Sequence, residues 1–251
     1  MASPVRTKRP LNIAHRGASG HAPENTMAAF RLAVEQGADW IELDIHQTAD
    51  GHLVVLHDLT LQRTAGDPRP VKTLTLKQIK ELDVGQWWDK AYRGETTPTL
   101  DEVLEFSENR FRLQIELKHG SSFYPGIEGR LLNLIASHEA RNRAAVSSFE
   151  AEALKTLREM DDHVSLGLLT RKTDPKEILK EAESLRIQSL HISTRRLSKN
   201  LLARARANNL PVYVYTVNRP SLMRRYLAMG ADGLFTNYPD RLREVFRSEQ
   251  P

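Results

Sequence analysis

The stretch Trp40-Ile41-Glu42-Leu43-Asp44-Ile45-His46 is one of the most informative parts of this sequence for predicting the fold. Its apolar residues favour a buried strand, yet Glu42 and Asp44 lie two residues apart, so an extended chain points both carboxylates to the same side. Two further stretches, Ile13-Ala14-His15-Arg16-Gly17 and Leu113-Gln114-Ile115-Glu116-Leu117-Lys118, also begin apolar and end in charge. Apolar strands that end in charged side chains indicate a rigid scaffold that presents a polar site at its edge.

Short apolar runs alternate with longer amphipathic runs along the chain. The predicted strands are Leu11–His15, Trp40–His46, Phe111–Leu117, Ala145–Ser148, Val164–Leu169, Ser189–Ile192, Val212–Thr216 and Gly233–Thr236. The predicted helices are Glu24–Gln36, Leu100–Ser107, Gly126–His138, Glu150–Met160, Pro175–Leu185, Ser198–Asn208, Pro220–Met229 and Pro239–Phe246. About eight strand–helix units with continuous apolar strands predict an α/β fold, a (β/α)8 TIM barrel. A doubly wound open sheet is the alternative, but residues 15–20 match its glycine-rich phosphate loop poorly.

One region departs from the regular repeat. More than sixty residues separate Asp44 from Phe111, where a βα unit needs about thirty. Within this region Asp50-Gly51 lies between apolar runs and predicts a hairpin. We predict a single barrel domain over residues 1–251, with an insertion over roughly 46–98 that caps the C-terminal mouth of the barrel, where barrel active sites lie.

Composition excludes several classes of function. The chain has 251 residues, a net charge of +4, a pI near 9.3 and no cysteine. The mild positive excess suits an anionic small molecule, while no basic run alternates with stacking aromatics as a nucleic-acid groove requires. Disulfides and thiolate chemistry are excluded. Residues 1–10 lack the apolar core of a signal peptide and no apolar run reaches the roughly 18 residues of a membrane span, so we expect a cytoplasmic protein without stable membrane insertion.

Three carboxylates form the first candidate site. Glu42, Asp44 and Glu116 are expected at neighbouring strand ends, where they would repel one another unless a cation lay between them. A hard divalent cation with oxygen ligands, Mg²⁺ or Ca²⁺, suits this set, with Mn²⁺ also compatible. The alternative is structural ion pairing with Arg16 and Lys118.

Two histidines form the second candidate site. His15 and His57 each follow an apolar run, and imidazole titrates near neutral pH, so the pair can act as proton acceptor and proton donor. Asp58, next to His57, is placed to orient an imidazole. The other histidines considered are weaker candidates, and solvent exposure is expected for the two that flank the hairpin turn, His46 and His52.

Arg16 and Lys118 are the candidate phosphate ligands. A guanidinium offers a planar fork that fits two phosphate oxygens, and an ammonium offers a compact charge. Exposed charges at the rim of the barrel are the alternative interpretation for both. Their position next to the carboxylates favours a phosphate site.

Assembled in order, these motifs resemble the glycerophosphodiester phosphodiesterase family over nearly the whole chain. The resemblance is carried by His15-Arg16-Gly17, Pro23-Glu24-Asn25-Thr26, Glu42-Leu43-Asp44, His57-Asp58, Arg63-Thr64, Pro98-Thr99-Leu100, Glu116-Leu117-Lys118 and Thr216-Val217-Asn218. Two features depart from the family pattern: Tyr215 stands where members commonly carry Trp, and 66–72 has few of the usual glycines. We expect both to affect substrate preference rather than the reaction.

The resemblance implies a capped β/α barrel that uses a divalent cation to hydrolyse glycerophosphodiesters to sn-glycerol 3-phosphate and an alcohol. By motif position it places the catalytic histidines on His15 and His57, the metal carboxylates on Glu42, Asp44 and Glu116, and the phosphate-contacting cations on Arg16 and Lys118. It favours the glycerol 2-hydroxyl as nucleophile, giving a cyclic phosphate that is then opened. The residues alone leave direct attack by water open.

Two other functions remain open from the sequence. A lysophospholipase D-like enzyme would share the barrel, the histidines and the carboxylates, but would favour an apolar groove, for which the insertion offers little beyond Trp87-Trp88. A non-catalytic barrel that binds phosphodiesters would not need the histidine pair. The expected partner is a small-molecule glycerophosphodiester, and a homodimer is left open.

Overall fold

The computed structural model describes residues 9–108 and 110–248, so residues 1–8 of the predicted domain, Asn109 and the last three residues lie outside the description. Within it the strands are β1 Leu11–His15, β2 Trp40–Gln47, β3 Leu53–Val55, β4 Thr60–Leu61, β5 Asp67–Pro70, β6 Arg112–Leu117, β7 Ala144–Ser148, β8 Ser165–Leu169, β9 Ser189–Ser193, β10 Val212–Tyr215 and β11 Gly233–Thr236.

The helices follow the strands in the predicted alternation. They are α1 Met27–Glu35, α2 Gln62–Ala65, α3 Leu76–Lys80, α4 Leu100–Ser107, α5 Ile127–Ser137, α6 Ala151–Met160, α7 Pro175–Ser184, α8 Lys199–Ala207, α9 Pro220–Met229 and α10 Pro239–Ser248. Capping residues or prolines mark the first turn of several of these helices. Thr26 caps α1, Thr99 forms a capping box with Glu102 at α4, and α7 and α9 begin with proline.

Eight parallel strands of the described chain close into a barrel. Their order is β1-β11-β10-β9-β8-β7-β6-β2, and β1 also pairs with β2, which completes the ring. Helices lie between the strands, so the (β/α)8 barrel predicted from the sequence is confirmed and the open sheet is excluded.

Apolar and polar residues alternate along β2, whereas the sequence predicts strands that are continuously apolar. Ile41, Leu43 and Ile45 of β2 are fully buried in the main apolar cluster, which the strands share with the surrounding helices. The intervening Glu42 and Asp44 are also buried, but they belong to the polar interior of the barrel. Both faces of β2 are therefore buried, although one of them carries polar residues. This polar face points into the barrel near its C-terminal mouth, where it forms a site instead of an apolar core.

The segment between β2 and α4 has a small apolar cluster of its own. β3 pairs antiparallel with β2 through the register Ile45↔Val55, as the hairpin signal predicted. The cluster is formed by Val54, Leu56, Leu61, Val71, Leu74, Ile79 and Val84. Strand β3 thus fixes the start of this insertion to the barrel wall. No helix among the described residues is long and apolar enough to cross a bilayer.

Candidate active site

A tight turn after β1 places the first charged groups. Arg16 and Gly17 have φ values of 57° and 80°, and a side chain at Gly17 would come within 2.8 Å of the Ala29 backbone. Only glycine fits such a position without strain. The turn directs the Arg16 amide N–H to Glu42 Oε2 at 2.9 Å.

Strand register brings the three carboxylates together. β1 and β2 pair with His15 opposite Glu42, and β2 and β6 pair with Asp44 opposite Glu116. One oxygen of each carboxylate lies within 4.8 Å of the others. The chain therefore assembles the predicted acidic cluster from two neighbouring strands.

The cluster is only partly neutralised by cations. Arg16 Nε lies 3.1 Å from Asp44 Oδ2, and Lys118 Nζ lies 3.3 Å from Asp44 Oδ1 and 2.8 Å from Glu116 Oε1. These contacts are the ion pairs of the alternative interpretation. Because two cations face three carboxylates, however, they do not balance the cluster.

Burial and mutual repulsion perturb these acids in different directions. Burial, with the charges of Asp44 and Glu116, raises the pKa of Glu42 well above its usual value. Burial and Asp44 likewise raise the pKa of Glu116, although Lys118 opposes the rise. Burial alone would raise the pKa of Asp44, but Arg16 and Lys118 lower it to about 2. Glu42 is thus the least compensated acid.

The donor set fits a hard divalent cation. The three carboxylates offer only oxygen ligands, and Asp44 Oδ1 is buried and accepts no hydrogen bond among the described residues, although Lys118 Nζ lies 3.3 Å away. A cation bound here would supply the missing positive charge and would lower the pKa of Glu42. Oxygen ligands of this kind suit Mg²⁺, Ca²⁺ or Mn²⁺.

His15 is held by a partner that the sequence analysis missed. Its Nδ1 lies 2.8 Å from Asn237 Oδ1, and the Asn237 N–H donates to Asn218 Oδ1 at 2.9 Å. Since an amide oxygen only accepts, Nδ1 carries the proton and Nε2 is left free. Burial, with the Arg16 charge, lowers the pKa of His15 to about 4, so the ring is neutral near pH 7.

Both the imidazole ring and the backbone carbonyl of His57 make hydrogen bonds. Its Nδ1 lies 2.7 Å from Asp58 Oδ1, as predicted from their adjacency. The His57 carbonyl accepts from His46 Nε2 at 3.0 Å, and His46 Nδ1 lies 2.8 Å from the Tyr124 hydroxyl. The expectation of an exposed His46 is therefore wrong: the ring is 1% exposed because it fills the space between the insertion and the loop after β6. His52 is exposed as predicted.

Arg63 connects Asp58, the partner of His57, to Glu24, the partner of Arg16. Its guanidinium donates to Asp58 Oδ2 at 2.8 Å and to both Glu24 oxygens at 2.8 and 3.0 Å. Glu24 in turn accepts from Arg16 Nη1 at 2.9 Å. A chain of charges thus runs from His57 in the insertion to Arg16 after β1.

Most of the predicted site residues line one cleft at the C-terminal mouth of the barrel. It encloses about 210 Å³ and is lined by His15, Arg16, Glu42, His57, Glu116, Lys118, Ser147, Phe149, Leu169, His191, Tyr215, Thr216 and Phe235. Six of the seven predicted site residues are in this lining, and Asp44 lies in the carboxylate cluster at its wall. Charged side chains and aromatic or aliphatic side chains therefore line the same cleft.

Most of the chain matches one protein family. The family model described as the glycerophosphoryl diester phosphodiesterase family matches residues 15–241. The glycerophosphodiester phosphodiesterase of Caldanaerobacter subterraneus subsp. tengcongensis is 39% identical over 240 residues, covering 94% of this chain and 98% of that relative. A Bacillus subtilis glycerophosphodiester phosphodiesterase is 34% identical, with 94% and 86% covered.

Solved structures agree with the sequence matches. An Oleispira antarctica phosphodiesterase, in complex with the product sn-glycerol-3-phosphate, has a TM-score of 0.88 and 30% identity, with 94% of this chain and 96% of that chain covered. The glycerophosphodiester phosphodiesterase of Thermotoga maritima has a TM-score of 0.79 and 25% identity, with 95% and 99% covered. The similarity extends over the barrel and the insertion alike.

Proposed function

This chain belongs to the glycerophosphoryl diester phosphodiesterase family, and from that membership we propose that it hydrolyses glycerophosphodiesters to sn-glycerol 3-phosphate and an alcohol with the help of a divalent cation and two histidines. The observation that carries the proposal is the single cleft that unites an imidazole pair, two cations and a carboxylate cluster. A phosphoric diester hydrolase needs these groups within reach of one phosphate.

Glu42, Asp44 and Glu116 are the residues that would hold the cation. When bound, a divalent cation polarises phosphate oxygens and offsets the negative charge that develops in the transition state. Arg16 and Lys118 lie beside the carboxylates and also line the cleft. Their guanidinium and ammonium groups bind the phosphate oxygens on the side of β1 and β6.

The two histidines have different surroundings, which suggests different roles. His15 is neutral and presents a free Nε2 because Asn237 holds its Nδ1 proton, so we assign it as the proton acceptor for the attacking hydroxyl or water. His57 is oriented by Asp58 and is assigned as the proton donor to the departing alkoxide. Both routes of attack, by the glycerol 2-hydroxyl or by water, require this pair.

The test is a panel of substrates assayed with and without a chelator. Glycerophosphocholine should be hydrolysed to sn-glycerol 3-phosphate in the presence of Mg²⁺, Mn²⁺ or Ca²⁺, and activity should be lost with EDTA and restored by added cation. Faster release of choline from lysophosphatidylcholine would instead indicate a lysophospholipase D-like enzyme. Absence of turnover with every cation would contradict the proposal and favour a binding protein.

A further inference from the structure

Two arginines meet at the mouth of the barrel, outside the site described above. Arg171 follows β8 and Arg196 follows β9, so both lie in loops at the C-terminal ends of neighbouring strands. Arg196 Nε donates to the Arg171 carbonyl at 2.8 Å, and its Nη1 lies 3.4 Å from Ser193 Oγ. The first contact joins the two loops, and the second holds the Arg196 side chain at the end of its own strand. We call Arg171 and Arg196 the arginine pair.

The arginine pair borders the aromatic wall of the cleft. The Arg171 guanidinium lies 4.3 Å from the centre of the Phe149 ring, and Phe149 lines the cleft together with Tyr215. Burial and Glu116 raise the pKa of the Tyr215 phenol, while the charges of Arg196 and Arg171 oppose that rise. Both guanidinium charges therefore act on a group that lines the cleft.

Among the described residues, the arginine pair differs from Arg16 and Lys118 of the site in forming no ion pair. Arg16 pairs with Glu24 and Asp44, and Lys118 pairs with Asp44 and Glu116. Neither Arg171 nor Arg196 forms an ion pair with a carboxylate in the part of the chain that the structure describes. Glu150, the acid next to Phe149, is occupied by His119 Nδ1 and the Gly120 N–H.

We propose that the arginine pair is a second anion subsite, which binds a phosphate carried by the substrate in addition to the scissile phosphodiester. The inference rests on the proposed function and deepens it. A guanidinium is the side chain best suited to a phosphate, and an unpaired one at the rim needs no internal ion pair to be broken before it binds. The preferred substrates are therefore glycerophosphodiesters with a further negative group, and neutral or cationic alcohol portions gain nothing from the pair.

The experiment compares two substrates that differ only in a terminal phosphate: glycerophosphoglycerol and its counterpart phosphorylated on the far glycerol. We expect the intact enzyme to favour the phosphorylated substrate in kcat/KM, and both Arg171→Gln and Arg196→Gln to reduce that preference by about fivefold, as befits one partly screened charged contact. Added salt should also weaken the preference. The matched control is Arg225→Gln, since Arg225 lies over the Tyr226 ring on α9, away from the cleft lining, and should leave the preference unchanged.

The outcomes separate this proposal from the proposed function. Equal kcat/KM for the two substrates, or an equal loss on both in the Arg171 and Arg196 variants, would overturn the subsite while the phosphodiesterase stands. If neither substrate is hydrolysed, the proposed function fails, and calorimetric binding of the phosphorylated compound then decides the subsite. Weaker binding in both variants than in Arg225→Gln supports it, and unchanged binding overturns it.

Discussion

The two imidazoles of the cleft are held by partners of different chemistry. Asn237 offers His15 an amide oxygen, and Asp58 offers His57 a carboxylate. Each contact fixes the ring and leaves its Nε2 toward the cleft that both residues line. In the proposed mechanism, proton transfer therefore depends on the orientation that Asn237 and Asp58 give to the two rings.

We predict that His15→Ala and His57→Ala each lower kcat by roughly 10²–10⁴-fold, the usual contribution of a positioned acid or base. Steady-state kinetics on glycerophosphocholine measure the effect, and circular dichroism checks that each variant is folded. His52→Ala, which changes an exposed histidine of the insertion, should keep wild-type turnover. Wild-type turnover in either cleft variant would reject the pair as acid and base.

We predict that His191 makes the free energy of unfolding depend on pH in the acidic range. It is fully buried in the barrel, its Nε2 lies 2.9 Å from Ser189 Oγ, and burial lowers its pKa to about 3. The unfolded chain binds a proton at this residue near pH 6.5, whereas the folded chain does so only near pH 3. As the pH falls below 6.5 the unfolded state therefore takes up the proton first, and the free energy of unfolding decreases.

From pH 7 to pH 4 this histidine should account for roughly 2–3 kcal/mol of that decrease. Urea denaturation of the wild type and of His191→Gln at both pH values measures it. The variant is expected to be less stable at pH 7 because of altered packing, but to lose less stability on acidification than the wild type. An identical loss in both proteins would show that His191 is not the group responsible.

At the scale of elements, the insertion reaches the barrel through a small number of polar contacts near the cleft. β3 pairs with β2, and Arg63 of α2 bridges Asp58 and Glu24. These contacts bring His57, which belongs to the insertion, over groups that belong to β1, β2 and β6. Loss of the bridge should therefore affect catalysis before it affects folding.

We predict that Arg63→Met lowers kcat by about tenfold or more, since Asp58 and Glu24 lose the charge that orients them toward His57 and Arg16. Arg69→Met is the matched control, because Arg69 in the same insertion pairs with Asp67, away from the cleft lining. Kinetics and thermal denaturation of both variants distinguish positioning from stability. A wild-type kcat in Arg63→Met would contradict a positioning role.

At the scale of the whole molecule, cation binding should couple to stability. Three acids from two strands meet in the barrel interior, and the raised pKa values of Glu42 and Glu116 report a site short of positive charge. A ligand that binds only the folded state stabilises it by mass action. Because β2 and β6 are neighbouring barrel strands, the gain should appear in the unfolding of the whole barrel.

We predict that millimolar Mg²⁺ or Ca²⁺ raises Tm by a few degrees, about the effect of a 1–2 kcal/mol gain in stability for a chain of this size. Glu42→Gln should abolish the cation-dependent increase. Glu102→Gln, which changes an exposed acid paired with Lys80, should retain it. Differential scanning calorimetry with and without EDTA measures the shift. A wild-type Tm that is unchanged by added cations would argue against a metal site.

The fold class, most element boundaries to within a residue or two, and seven candidate site residues could be predicted from the sequence alone. Hydrophobic periodicity and capping residues are local, so β1, α4, α9 and β11 could be read directly from neighbouring residues. The charged residues at strand ends could be assembled in advance because parallel strands in a barrel end at the same face.

The groups that orient the candidate site could be identified only from the folded chain, because they lie on different elements. Asn237 reaches His15 across 222 residues because the barrel closes by pairing β1 with β11. His46 is buried, contrary to expectation, because the insertion folds back so that its ring can bind the His57 carbonyl. Arg171 and Arg196 meet because their loops leave adjacent strands. The His15 contact joins segments 222 residues apart and exists only once β1 has paired with β11. The other two contacts span 11 and 25 residues and depend on the β2–β3 and β8–β9 pairings.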